Sequence, residues 1–120
     1  MKNQGYGRII KTSSGAWLLG APDYVGYGMA KAAVDALTRH ASQDWGQYGI
    51  VTNTIYPIVQ NADHEKEHPE MAKALAARIP LRRHGTAYDD LSPVVAFLAS
   101  DGGAYVNGQS IGINGGLFFL

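Results

Sequence analysis

Two short β-branched runs flank one long helical stretch, and that order restricts the chain to a parallel strand, helix, strand crossover. The first run, Arg8-Ile9-Ile10-Lys11-Thr12, follows Gly5 and Gly7 and ends in Ser13-Ser14-Gly15, the composition of a strand entering a polar turn. A loop containing Gly20, Pro22 and Gly26 follows. Beyond it, Ala30, Ala33, Val34, Leu37, Ala41 and Trp45 recur at helical spacing, which predicts a helix from near Tyr27 to Asp44, with Gly46 and Gly49 past its end. The second run, Ile50 to Tyr56, stops at Pro57, which has no N–H with which to continue a ladder. Parallel strands joined through a helix take a right-handed crossover.

Downstream, Ile58 to His68 mixes charges without an apolar period and is expected to be a mobile surface loop. Pro69 to Arg78 has proline at its opening turn and Met71, Leu75 and Ile79 along one side, which predicts a helix. Thr86 followed by Asp89 resembles a capping box, ahead of a stripe of Leu91, Val94, Val95 and Leu98, with Pro93 in or near the first turn. Ser110 to Asn114, between Gly108 and Gly115-Gly116, reads as a third strand. The order is βαβααβ, a three-stranded parallel α/β unit.

Size and composition narrow the function classes. The 120 residues suffice for one domain, taken as 1–120. Ten Lys plus Arg balance ten Asp plus Glu, so no global field draws nucleic acid or anionic lipid. Without cysteine there are no disulfides, thiolate zinc sites or cysteine nucleophiles. No run approaches the roughly 20 apolar residues of a membrane span, and a cytoplasmic protein is expected.

Tyr27 and Lys31 carry the chemistry. Four residues apart, they share a helix face, and an ammonium one turn from a phenol favours the phenolate, as a proton donor or acceptor at a carbinol oxygen requires. Ser14, at the end of the preceding strand, is expected at the same rim of a parallel sheet, where it can hydrogen-bond the same substrate oxygen.

The motifs extend well beyond that pair. Gly7-Arg8-Ile9-Ile10 leads to Ser13-Ser14, then Tyr27-Gly28-Met29-Ala30-Lys31-Ala32-Ala33-Val34, Tyr48-Gly49-Ile50, Asn53, Ile79-Pro80-Leu81, Val95-Ala96-Phe97-Leu98-Ala99-Ser100-Asp101, Gly108-Gln109 and Asn114-Gly115-Gly116. In this order and near this spacing, from about Gly7 to Leu117, the chain resembles the C-terminal half of the classical short-chain dehydrogenase/reductases, in particular the 3-oxoacyl carrier-protein reductases and related sugar or alcohol dehydrogenases. The resemblance implies a partial Rossmann-like fold. It implies Tyr27 as general acid/base, Lys31 holding the nicotinamide ribose and tuning the tyrosine, and Ser14 orienting the carbonyl, with Ser13 as the alternative serine. Tyr27, Lys31, Pro57 and Val59 are the implied cofactor-binding residues, and NAD or NADP the implied cofactor. No metal is implied.

Two departures qualify that implication. The family's N-terminal half, with its glycine-rich phosphate turn, its selector of NAD against NADP and its catalytic asparagine, has no counterpart in these residues. Binding of a dinucleotide by the chain alone thereby loses most of its expected affinity. Where the family has Pro-Gly after the second strand, Pro57 is followed by Ile58, which resists a positive φ, so a different loop path is expected. An exposed strand edge and helix face should follow from the shortness of the chain. The expectation is a homo-oligomer, or a complex with a chain supplying the missing half. The apolar end, Phe118-Phe119-Leu120, is expected to be buried against another subunit. Two function classes follow: an oxidoreductase completed by its partner, or a non-catalytic oligomeric module that keeps the fold for its surface.

Three other features compete. His64-Glu65-Lys66-Glu67-His68 matches His-Glu-x-x-His, but Pro69 drives His68 out of helical geometry, and the segment lacks an apolar face to bury a metal. Arg78, Arg82, Arg83 and His84 form a basic cluster that reads as a solvated loop in preference to an anion site. Trp17, Tyr24 and Tyr56 read as packing aromatics in preference to a pocket lining.

Overall fold

Strands β1 (Gly7–Thr12), β2 (Ile50–Pro57) and β3 (Ser110–Ile113) form one sheet in the order β1-β2-β3 in the computed structural model, which describes residues 1–120. Both pairings are parallel: Gly7 faces Ile50 and Thr12 faces Ile55, while Thr54 faces Ser110 and Pro57 faces Ile113. The predicted three-stranded parallel α/β architecture is therefore the observed one. β2 is central and buried from Ile50 to Tyr56, so its polar residues need internal partners. Asn53 supplies the clearest case. Its Oδ1 accepts from the Gln109 N–H at 3.0 Å, and its Nδ2 donates to the Val106 carbonyl, which fastens the turn leading into β3.

Five α-helices cover or flank the sheet: α1 (Gly15–Leu19), α2 (Val25–Trp45), α3 (Ala62–Glu67), α4 (Pro69–Arg78) and α5 (Ser92–Ala99). Two of them depart from the sequence expectation. The turn after β1 contains α1, capped by Ser14, whose Oγ accepts from the Ala16 N–H at 3.2 Å. The segment expected to be a mobile loop contains α3, capped by Asn61 and carrying Asp63 and Glu65 in its first turn, where acidic groups complement the helix dipole. Leading into α5, the chain forms a π-turn over Ala87–Leu91, and Thr86 Oγ1 accepts from the Asp89 N–H at 3.0 Å. The return bond of that cap comes from Asp90, not Asp89: its Oδ2 accepts from the Thr86 N–H at 2.7 Å, because the wider turn displaces the reaching carboxylate by one residue.

Helix α2 turns a largely polar face to the sheet and leaves its apolar stripe outward, the exposed helix face that the sequence predicts. Its buried residues are Asp35, Thr38, Ala41 and Ser42, whereas Met29, Ala30, Ala33 and Leu37 point to water. Apart from Val34 and Ala41, the stripe that announced the helix is its outer face. Thr38 meets the sheet through a hydroxyl pair with Thr54, and Ser42 takes its proton to the Arg39 carbonyl. The β1 edge is also uncovered. Gly7 and Ser13 donate to Gly49 and Ile55 of the β2 side, so alternation turns the Arg8 and Ile10 backbone groups away from β2 towards the open edge.

The radius of gyration is 15.8 Å, against about 14 Å for a self-contained domain of this length. The accessible surface is 7650 Å², against roughly 6,300 Å² for a monomer of this mass. Both departures have the sign that an uncovered helix face and an open sheet edge produce. No helix is long and apolar enough to cross a membrane.

Candidate active site

Tyr27 and Lys31 meet beside the end of β1, where Ser13 and Ser14 follow, and Pro57 and Val59 lie at and beyond the end of β2. Ser13 N–H donates to the Ile55 carbonyl at 2.9 Å, which places the Ser13-Ser14 bend beside the end of β2, where Pro57 and Val59 lie. Helices α1 and α2 cross closely here. A Cβ on Gly28 would meet Trp17 Cα at 3.5 Å, an ordinary contact distance, so the two helices touch here without requiring glycine. Tyr27 occupies the first turn of α2, half exposed, its ring edge-on to Tyr24 with centroids 5.8 Å apart. Lys31 Nζ lies 5.5 Å from the Tyr27 ring centroid and donates to the Thr12 carbonyl at 3.0 Å. That bond to the last residue of β1 anchors the ammonium and leaves its other N–H donors free.

The two serines have separate surroundings. Ser13 is 4% exposed, and its Oγ lies 3.0 Å from the Lys31 carbonyl and 3.2 Å from Asp35 Oδ2, so its hydroxyl serves the interior. Ser14 only accepts through its cap to Ala16, which leaves its O–H free to donate elsewhere.

Behind these residues lies a buried polar cluster that the sequence reading did not single out. Asp35 is 2% exposed, and its Oδ2 accepts from the Tyr56 hydroxyl, while Oδ1 is buried without a partner. Trp17 Nε1 donates to the Tyr56 oxygen at 3.2 Å. Burial first, then the Asp35 carboxylate, push the Tyr56 phenol above its ordinary pKa. Lys11 is moved below its ordinary value by burial, against the opposing pull of Asp35. The available signal was position: Asp35 stands one turn past Lys31 on the same face, so a helix that aims Lys31 at the sheet must aim Asp35 there too. Tyr56 and Trp17 thus serve this cluster, although Trp17 and the exposed Tyr24 also line an apolar groove of about 480 Å³ with Val25 and Met29.

Beyond β2 the chain is tied to both β3 and the segment around Gly85. Ile58 stays out of the left-handed region; its N–H donates to the Ile113 carbonyl at 2.9 Å, and its carbonyl accepts from Gly85 at 3.1 Å. Val59 bridges Gly85 and is held by a strap over residues 83–86, whereas Pro57 pairs with Ile113 of β3. Two members of the basic cluster, Arg83 and His84, are spent around that strap, while Arg82 donates to the Ala77 carbonyl. Arg83 makes a bidentate pair with Asp90, both bonds at 2.7 Å, and this pair with the Thr86 N–H holds the Asp90 carboxyl well below the usual range. His84 Nδ1 meets Glu65 Oε1 at 2.7 Å, and the Gln60 amide, followed by His84, lowers the Glu65 pKa. His68 has left helical geometry at φ −133, ψ 60, and Glu65, the base that a zinc-hydrolase reading would need, is bound to Gln60 and His84. The C-terminal expectation needs correction: Phe118 is buried within the chain against Tyr56, and only Phe119 and Leu120 remain exposed.

Solved structures that this chain resembles include proteins named as dehydrogenases and a reductase. One, a putative gluconate dehydrogenase from Agrobacterium tumefaciens, superposes with a TM-score of 0.88 at 33% identity, covering 98% of this chain and 47% of that one. Levodione reductase superposes at 0.86 with 33% identity, covering 97% and 48%. A sequence model of the family described as enoyl-(acyl carrier protein) reductase matches residues 1–118, and the chain belongs to this family of short-chain dehydrogenase/reductases. Among similar curated proteins, a 3-oxoacyl-[acyl-carrier-protein] reductase of Pseudomonas aeruginosa is 37% identical over 98% of this chain and 48% of its own length. The levodione reductase of Leifsonia aquatica is 35% identical over 97% of this chain and 46% of its own length. The chain thus spans about half the length of the curated relatives it matches.

Proposed function

We propose that this chain is the proton-transfer half of an NAD(P)-dependent oxidoreductase acting on a carbonyl or alcohol, active when a partner chain or a second copy supplies the dinucleotide-binding half. The observation that carries this reading is the Lys31 ammonium held on the Thr12 carbonyl and over the Tyr27 ring, at the rim where Ser14 also lies. Relatives named as 3-oxoacyl-[acyl-carrier-protein] reductase and NADPH-dependent aldehyde reductase-like protein are consistent with a carbonyl substrate.

The donor set fits the nicotinamide end of the cofactor. With one N–H on Thr12, the Lys31 ammonium retains donors for a ribose diol, while Pro57 and Val59 line a cavity past the end of β2 with Asn61 and His64. The pyrophosphate end would fall to the partner. A bound nicotinamide dinucleotide supplies or takes the hydride. This chain's part is proton transfer: Tyr27 gives its phenolic proton to the carbonyl oxygen as that oxygen gains negative charge, and takes it back in alcohol oxidation. Ser14 donates a hydrogen bond to the same oxygen, and Lys31 stabilises the phenolate left behind.

The outward stripe of α2 and the open β1 edge support partner dependence, since both are apolar or unpaired surfaces that an added half or copy would cover. The test is reconstitution. Mixed with the N-terminal half of the Pseudomonas aeruginosa reductase, the chain should oxidise NADPH or NADH in the presence of a ketone panel, and Tyr27→Phe should lower the rate by about 10²–10⁴-fold. A folded complex with no turnover would leave the non-catalytic module as the reading. Turnover by the isolated chain would overturn the requirement for a partner.

A further inference from the structure

The bend that carries Ser14 is packed from above by the segment after β3. That segment turns back on itself: Gly115 and Gly116 take φ 62 and 87, Leu117 N–H donates to the Asn114 carbonyl at 3.1 Å, and Gly116 N–H donates to Asn114 Oδ1 at 3.0 Å. Asn114 Nδ2 in turn donates to the Phe118 carbonyl at 2.9 Å in a buried bond. The result sets the Phe118 ring directly over Gly15. A Cβ built on Gly15 would stand 2.6 Å from Phe118 Cε1 and 2.7 Å from Cζ, closer than any side chain can approach. The other edge of the ring packs against Tyr56, centroids 6.2 Å apart and planes at 71°.

Gly15 is the residue after Ser14 and the first of α1, and Ala16, next along, gives its N–H to Ser14 Oγ. The orientation of the Ser14 hydroxyl therefore depends on Gly15 and Ala16 keeping their places. We propose that Phe118 is a positioning residue for Ser14: its ring, pinned by Asn114 and Tyr56, holds the Gly15 backbone so that the Ser14 side chain keeps its cap and its free O–H. Gly15 is glycine because the ring occupies the space of a Cβ. The inference rests on the reading that Ser14 serves the substrate carbonyl, but its geometry can be tested without turnover.

In the isotope-labelled chain, Phe118→Ala should raise the hydrogen-exchange rate of the Ala16 amide by about tenfold, while Thr52 and Thr54 amides in β2 keep theirs. Phe118→Leu, which keeps bulk over Gly15 without adding an atom at the ring tip, should restore most of the native rate. In the reconstituted enzyme, Phe118→Ala should lower kcat by about tenfold with little change in the KM for cofactor, as misplacement of a carbonyl-orienting group predicts. Gly15→Ala should reproduce both effects, and adding Phe118→Ala to Gly15→Ala should leave the loss no larger than in either single variant. An unchanged Ala16 rate in a folded Phe118→Ala chain would overturn the proposal, as would equal acceleration at Ala16 and throughout β2. If Phe118→Ala does not fold, Phe118→Leu with Gly15→Ala decides: a restored Ala16 rate relative to Gly15→Ala alone supports the contact, and no restoration rejects it. A selective exchange effect with no turnover in the wild-type complex would sink the catalytic reading while leaving the positioning role in place.

Discussion

Tyr56 has no exposed surface, and its hydroxyl shares a buried carboxylate with Ser13 while accepting from Trp17. Tyr56→Phe leaves Asp35 with fewer donors in a buried site and should destabilise the fold by about 1–3 kcal/mol in urea titration. The same group sets an alkaline response. Because its folded pKa lies above the ordinary 10.0, the unfolded chain loses this proton first, so stability should fall as pH rises through 10.0, and the Tyr56→Phe variant should lose that part of the slope. Asp90 works at the opposite end. Its folded pKa is depressed, so its contribution is complete above the ordinary 3.8 and fades as pH falls below it; Asp90→Asn should flatten the acid limb of a thermal-melting profile. Tyr27 and Lys31 were legible because a spacing of four on a helix guarantees a shared face. Asp35 obeys the same rule yet was not singled out, because a carboxylate amid helical residues reads as solvated unless its neighbours reveal which face turns inward.

At the scale of elements, the strands and α4 were read within a residue or two, since β-branched runs and a proline-led amphipathic segment are strong local signals. The two short helices were not. Five or six residues cannot establish a period, and the side chain that caps α1 is Ser14 itself, so its hydroxyl read as chemistry alone. The outward face of α2 was legible only through the missing half: periodicity reports that a helix has an apolar side, not which body that side is meant to meet. Turns give a sharper prediction. Gly49 sits at φ +68 with a would-be Cβ 2.2 Å from the Gly5 carbonyl, so Gly49→Ala combines strain with a backbone clash and should cost about 2 kcal/mol or more, measured by urea unfolding.

For the whole molecule, an extended radius, surplus surface and an outward apolar stripe converge on incompleteness. Light scattering should find the isolated chain self-associated, and Met29→Lys with Leu37→Lys should disperse it without unfolding it. A monodisperse 12.9 kDa monomer would contradict this account. The family was legible from about Gly7 to Leu117 because its motifs recur in β1, α2, β2, α5 and the turns that flank β3. The network from Asn114 through Phe118 to Gly15 was not, since it joins residues that only the finished fold brings together.

The wholly parallel sheet also bears on how the molecule reaches its native state. No hairpin is available to start it: the first ladder joins Gly7 to Ile50 and the second Thr54 to Ser110, partners about 43 and 56 positions apart in sequence. Each must close a long loop before any strand bond repays the lost entropy, so α2 should nucleate early and the sheet should zip late. The interval between those events leaves Ile9, Ile10 and the β2 core unprotected, and it is then, more than in the native state, that this chain would be most prone to aggregate and most helped by a chaperone.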